Sequence, residues 1–138
     1  MTDAPLDRHR TAATLGVGRP VRGAAELAEL MGGHRAVVLC LTGSWCGSCS
    51  AFDPVFAGIA GEWAEHDDVA WAVADTQVAT DLAAALAVRT VPTTLVLAGG
   101  RVVDRIDGPV TRRALRQRVH SALEEAPPVP SPSPPDVA

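Results

Sequence analysis

An unbroken apolar run, Ala36 to Leu41, leads within a few residues to Trp45-Cys46-Gly47-Ser48-Cys49 and then to an amphipathic stretch. A run of that kind reads as a strand covered on both faces. The stretch after it reads as a helix from about Cys46 to Trp63, with Phe52, Val55, Phe56, Ile59 and Trp63 as its buried stripe and Pro54 as a kink. A doubly covered strand followed at once by a helix is the repeating unit of an α/β sheet.

The rest of the chain continues that alternation. Met1 to Pro20 has no period and reads as a loose segment, with Val21 as a short edge strand. Gly23 to Met31 carries helical spacing, and Gly32-Gly33 should end it. Val69 to Ala74 is a second buried strand, Asp75 to Thr80 a capped turn, and Asp81 to Val88 a short Ala-rich helix. Thr93 to Ala98 and Val102 to Ile106 form a hairpin around Gly99-Gly100, and Thr111 caps a last helix to about Glu124. From Ala126 on, six prolines among thirteen residues rule out a packed element, so residues 126–138 read as a disordered tail. The domain is expected over residues 21–125, as a central mixed β-sheet flanked by helices on both faces.

Cys46 and Cys49 stand three residues apart, where a helix begins. That spacing puts both sulfurs on one side of the first turn, close enough to close a small disulfide ring and reopen it. A helix start also offers free N–H groups and partial positive charge, which favour a thiolate. A reference cysteine titrates near ~8.5 and falls to ~7 in such a setting. Dithiol–disulfide exchange is the chemistry this pattern points to.

Composition removes other classes. A net charge of −4, with no basic run interleaved with aromatics, gives nucleic-acid binding little support. Arg112, Arg113, Arg116 and Arg118 read as a solvated helix face, with cations suited to its C-terminal end. No stretch approaches the roughly 20 apolar residues of a membrane span, and Met1 to Arg10 lacks a signal-like core, so a cytoplasmic protein is expected. One CxxC, with histidines at 9, 34, 66 and 120 out of ligand spacing, leaves no zinc site. Asp53 and Asp75 fall where they could approach the dithiol, although surface helix and turn roles account for them; Asp107 could set a negative charge beside Gly108 or be an exposed strand end.

Taken together, these residues resemble the thioredoxin family. Pro54 comes eight residues after Cys46, Arg89-Thr90-Val91-Pro92-Thr93 resembles the family's cis-proline loop, and Gly108 resembles its groove glycine. The resemblance implies a thioredoxin fold and a thiol–disulfide oxidoreductase that reduces protein disulfides. It makes Cys46 the attacking thiolate, Cys49 the resolving thiol and Trp45 the flanking shield, with Pro92 in cis after Val91 and Thr90, Val91, Pro92 and Gly108, together with Pro109, lining the substrate groove. Disulfide-containing proteins would be the substrates and a separate reductase the electron donor, with no bound cofactor. The chain would act as a monomer.

Three departures from the family bear on tuning. Ser48 follows Gly47 where the family usually has proline. Its N–H and hydroxyl should stabilise the Cys46 thiolate and make the couple more oxidising than a typical thioredoxin at about −270 mV. Cys40 occupies the position, six residues before Cys46, of the family's buried carboxylate, and Trp71 aligns with the lysine often set near it. Losing both charges together avoids stranding one, but leaves Cys49 without an obvious base. Cys40 is then either a small buried hydrophobe or a third redox thiol. Two other functions stay open at this point: a non-catalytic binding or co-chaperone module using the same groove, and a dedicated redox partner of one enzyme.

Overall fold

The structure is a computed structural model that describes residues 17–125. Its centre is β2 (Ala36–Thr42), the apolar run singled out above, which is buried along nearly its whole length. Strand β3 (Val69–Asp75) pairs parallel to it on one side and β4 (Thr93–Ala98) antiparallel on the other. Outside these lie β1 (Val17–Pro20) and β5 (Arg101–Asp107), giving the order β1-β3-β2-β4-β5. The helices are α1 (Ala24–Gly33), α2 (Gly47–Glu62), α3 (Thr80–Ala85) and α4 (Arg112–Glu125).

Because strand side chains alternate faces, β2 feeds two cores. Val38 and Cys40 pack with Phe52, Phe56 and Ile59 of α2 and Leu115 and Val119 of α4. Val37, Leu39 and Leu41 pack with Leu27 of α1 and Leu82 of α3. The same alternation sorts β5. Asp104, opposite Val96, turns toward α4 and pairs with Arg118 at 2.7 Å, while Arg105, opposite Leu95, turns toward α3.

The expected mixed sheet with helices on both faces is what the chain forms. Several boundaries differ. The edge strand is Val17–Pro20, inside the segment expected to be loose, and Val21 only adds one hydrogen bond to Val73 O at 2.8 Å. Its pairing with β3 is irregular at Gly18, which has φ +85° and lies so close to Val73 that a Cβ would meet it at 3.2 Å. A glycine, a proline and a partner some fifty residues away leave no local period to detect. Helix α1 runs through Gly32 and Gly33 and stops at His34, whose Nδ1–H donates to Leu30 O at 2.7 Å. Helix α2 continues through Pro54. The arginine group lies in the first half of α4 rather than toward its C-terminus, and its charge is met by partners instead. Arg116 pairs with Glu62 at 2.6 Å, and Arg118 with Asp104.

Helix α3 ends at Ala85, three residues before its expected end. It closes in a Schellman corner, with Val88 N–H on Ala83 O at 2.9 Å and Ala87 N–H on Ala84 O at 3.1 Å. The left-handed residue of that corner is Ala87, φ +52°, a place usually taken by glycine. Residues 1–16 and 126–138, where the loose segment and the proline-rich tail were expected, lie outside the described residues. Among the described residues no helix is long and apolar enough to cross a membrane.

Candidate active site

Strand β2 delivers the chain to a tight turn, in which Cys46 N–H donates to Gly43 O at 3.2 Å. A Cβ on Gly43 would come within 3.2 Å of the Trp45 indole, so the ring lies over that glycine and remains 66% exposed. Cys46 is the N-cap of α2, with extended backbone, and its Sγ accepts the Cys49 N–H at 3.1 Å. Oxygen side chains usually fill this role. Here a sulfur does, at the positive end of a helix, where negative charge is favoured.

Two further groups approach the same sulfur. Ser48 Oγ lies 3.3 Å from it and the Val91 carbonyl oxygen 3.7 Å. The Cys49 thiol donating to Cys46, and next the Ser48 hydroxyl, hold the Cys46 thiol below its usual range. Cys49 is the converse. Burial, and then its own hydrogen bond to Cys46, push its thiol up, against a smaller opposing pull from the Thr42 side chain. The arrangement is one ionisable sulfur at the helix tip with a protonated one beneath it.

The loop facing the dithiol comes from the far half of the sheet. The Val91–Pro92 bond is cis. Gly108, φ +91°, donates its N–H to Pro92 O at 2.8 Å, which ties the end of β5 to this loop. The Thr93 hydroxyl donates to Thr90 O at 2.5 Å and lies 3.3 Å from Asp107 Oδ1. Thr90 is therefore exposed as a residue while its carbonyl is already engaged. A Cβ on Gly47 would meet nothing, so the space before the first helical residue is open.

Cys40 lies opposite Thr94 and Val73, buried in the core shared with Phe52 and Phe56. Burial, and then the charge of Asp53, push its thiol up to about 12. A thiol so hard to ionise is neither base nor nucleophile at neutral pH, which favours the small-hydrophobe reading. Trp71 is buried edge-on against Phe56, ring centroids 5.3 Å apart, where the resemblance led to a charged side chain. Asp107 is an exposed strand end whose carboxylate is paired with Arg105 at 3.0 Å, so the negative charge by the groove is met. Asp75 keeps its turn role, accepting Gln77 N–H at 2.8 Å.

Sequence reasoning named Ser48, Cys49 and Val91, which meet the Cys46 sulfur, Gly108, which is bonded to Pro92, and Trp45, whose ring lies over Gly43. It missed Thr42, whose only signal was its place at the end of a buried strand, and Arg105. The guanidinium of Arg105 reaches Leu86 O at 2.7 Å and Ala87 O at 2.8 Å. In sequence that arginine is one polar position in an alternating strand.

Comparison with known proteins agrees with this geometry. The family model described as Thioredoxin matches residues 24–121. A thioredoxin of Chlorobaculum thiosulfatiphilum is 26% identical over 91 residues, spanning 66% of this chain and 82% of that protein. Thioredoxin H2-1 of rice (Oryza sativa subsp. japonica) is 34% identical over 92 residues, 64% of each chain. Among solved structures, Fasciola hepatica thioredoxin superposes with a TM-score of 0.68 at 27% identity, covering 75% of this chain and 98% of that one. With a dithiol at the head of α2, a cis-proline loop facing it and a family match across the domain, this chain belongs to the thioredoxin family, whose members are thiol–disulfide oxidoreductases.

Proposed function

We propose that this protein reduces disulfides in other proteins through Cys46 and Cys49. The observation that carries the reading is the N-cap sulfur, which receives the Cys49 amide at 3.1 Å and has the Ser48 hydroxyl at 3.3 Å. These groups stabilise negative charge where a nucleophile is needed. In the first step the Cys46 thiolate attacks one sulfur of a substrate disulfide. That S–S bond breaks, the other substrate sulfur leaves as a thiolate, and a mixed disulfide forms. In the second step Cys49 gives its proton to the departing thiolate or to solvent and attacks the Cys46 sulfur. The second substrate thiol is released and Cys46–Cys49 becomes the disulfide. Two electrons have passed to the substrate, and a separate reductase returns them. Cytoplasm is the setting this reading calls for.

The substrate would lie beside exposed Trp45, with the Val91 backbone available for strand-like pairing. The Ser48 hydroxyl favours the thiolate and so the reduced form, which makes the couple more oxidising than a typical thioredoxin. Titration against glutathione measures this, and a potential at or below about −270 mV refutes it.

The test of the activity is insulin reduction by wild type and by Cys46→Ser. The reading expects turnover that vanishes in the variant. A second reading, a binding module or single-enzyme partner, draws on the Cys40 thiol, which supplies no base for Cys49. It gains if neither form turns over insulin.

A further inference from the structure

The corner after α3 is built against its own backbone preference. Ala87 sits at φ +52° in the Schellman closure, a left-handed conformation disfavoured for a residue with a Cβ. The five residues after it, Val88 to Pro92, lead straight to the carbonyl that lies 3.7 Å from the Cys46 sulfur. One side chain grips that corner. Arg105 donates from Nη1 to Leu86 O at 2.7 Å and from Nη2 to Ala87 O at 2.8 Å. Its Nε donates to Asp107 Oδ1 at 3.0 Å, which aligns the planar fork. Asp107 in turn lies 3.3 Å from the Thr93 hydroxyl, and the next residue, Gly108, holds Pro92 O. Both ends of the groove loop are therefore tied to β5, and Arg105 makes the tie at its start.

A charged donor on two carbonyls at a helix C-terminus is a favourable pairing. It also satisfies carbonyls that the end of a six-residue helix leaves over. We propose that Arg105 is a positioning residue for substrate capture: it holds the α3 corner so that the Val91 backbone stands ready to pair with an extended protein substrate. The inference rests on the reductase reading above for its consequence, though not for the clamp itself. A loop already in its bound conformation loses less entropy when substrate pairs with it, so loss of the clamp weakens binding of long substrates most. A small aromatic disulfide, which needs the sulfurs but not the strand pairing, depends on it far less.

The experiment compares Arg105→Met, Arg105→Lys and Asp107→Asn with wild type, by kinetics and by amide hydrogen exchange. For Arg105→Met the expected results are an insulin KM about 10-fold higher with kcat within about 2-fold, and a much smaller change on a small aromatic disulfide. Exchange at the Ala87, Val88 and Gly108 amides should rise about 10-fold. Arg105→Lys, which can hold one carbonyl but not fork across two, should lie between. Asp107→Asn, which keeps the arginine and weakens only the contact that aligns it, should move the same readouts in the same direction by less. Unchanged exchange at those amides overturns the clamp whatever the activity does. Faster exchange with equal losses on both disulfides, or with no rise in KM, overturns the role in substrate capture. A wild type that fails to reduce insulin sinks the reductase reading alone, since the exchange result still decides the clamp.

Discussion

The two halves of the sheet divide the work differently. In the parallel half, β2 runs into the head of α2, and the groups that tune Cys46 are two and three residues away in the chain: Ser48 and Cys49. In the antiparallel half, β4 and β5 carry the cis-proline loop that faces Cys46, and its contacts bridge long gaps. Val91 meets Cys46 across 45 residues, and Arg105 meets Ala87 across 18. The setting of the Cys46 sulfur is a product of local geometry, whereas the loop that faces it is a product of tertiary packing. Mutations in the first half should alter chemistry, and those in the second should alter binding or stability.

The largest effect separating the halves is Cys46→Ser. Insulin reduction should fall to background, at least ~100-fold, with the melting temperature little moved, since a serine still caps the helix. Retained turnover would locate the chemistry elsewhere. Next comes the core beneath the dithiol. Cys40→Asp restores the family's usual residue type without a counter-charge for it, in a site hostile to charge despite the Thr94 hydroxyl beside it. It should cost at least ~3 kcal/mol in denaturant unfolding at pH 7, against less than ~1.5 kcal/mol for Cys40→Val. Equal costs would show that water or a counter-charge reaches the site.

A smaller effect belongs to the local tuning. Ser48→Ala removes one of the hydrogen bonds that lower the Cys46 thiol, second only to that from the Cys49 thiol. The alkylation rate of wild type should rise with pH through an inflection below the ordinary thiol range, because the thiolate reacts. The variant's inflection should move up. Its rate at neutral pH should drop about 2- to 10-fold, the equivalent of one hydrogen bond of ~0.5–1.5 kcal/mol. An unmoved inflection would transfer the tuning to the Cys49 contacts and the backbone N–H at position 48, which the variant keeps.

The smallest effect lies in the far half. Arg118 holds the Asp104 carboxyl below the usual carboxylate range. A depressed carboxylate contributes stability above its unfolded pKa and loses it as pH falls through the folded value. Arg118→Gln should therefore lower stability at pH 7 by less than ~1 kcal/mol, with the difference closing in acid. Thermal unfolding across pH checks this, and a difference that widens in acid would reverse the assignment. Insulin reduction should be unaffected.

What could be read ahead of the structure follows the same division. The buried stripe of Phe52, Phe56, Ile59 and Trp63 and the continuous run of β2 announce themselves by period, because one face of a helix or both faces of a central strand must meet apolar partners. Edge strand β1 gives no such signal, since Gly18 and Pro20 break a strand pattern and only the pairing with β3 marks the segment as a strand. The end of α3 was misplaced for a related reason. Ala84 to Val88 suits a helix, and the corner at Ala87 is held by an arginine from another strand.

The order of strands and helices, and the pairing of two sulfurs at a helix start, were written in the chain itself, because period and i to i+3 spacing act over a single turn. Which carbonyl faces the Cys46 sulfur, which cation binds the corner after α3 and how strongly Cys40 holds its proton were decided only by folding. Each depends on segments far apart in the chain being packed into contact, and no short stretch of sequence encodes that separation.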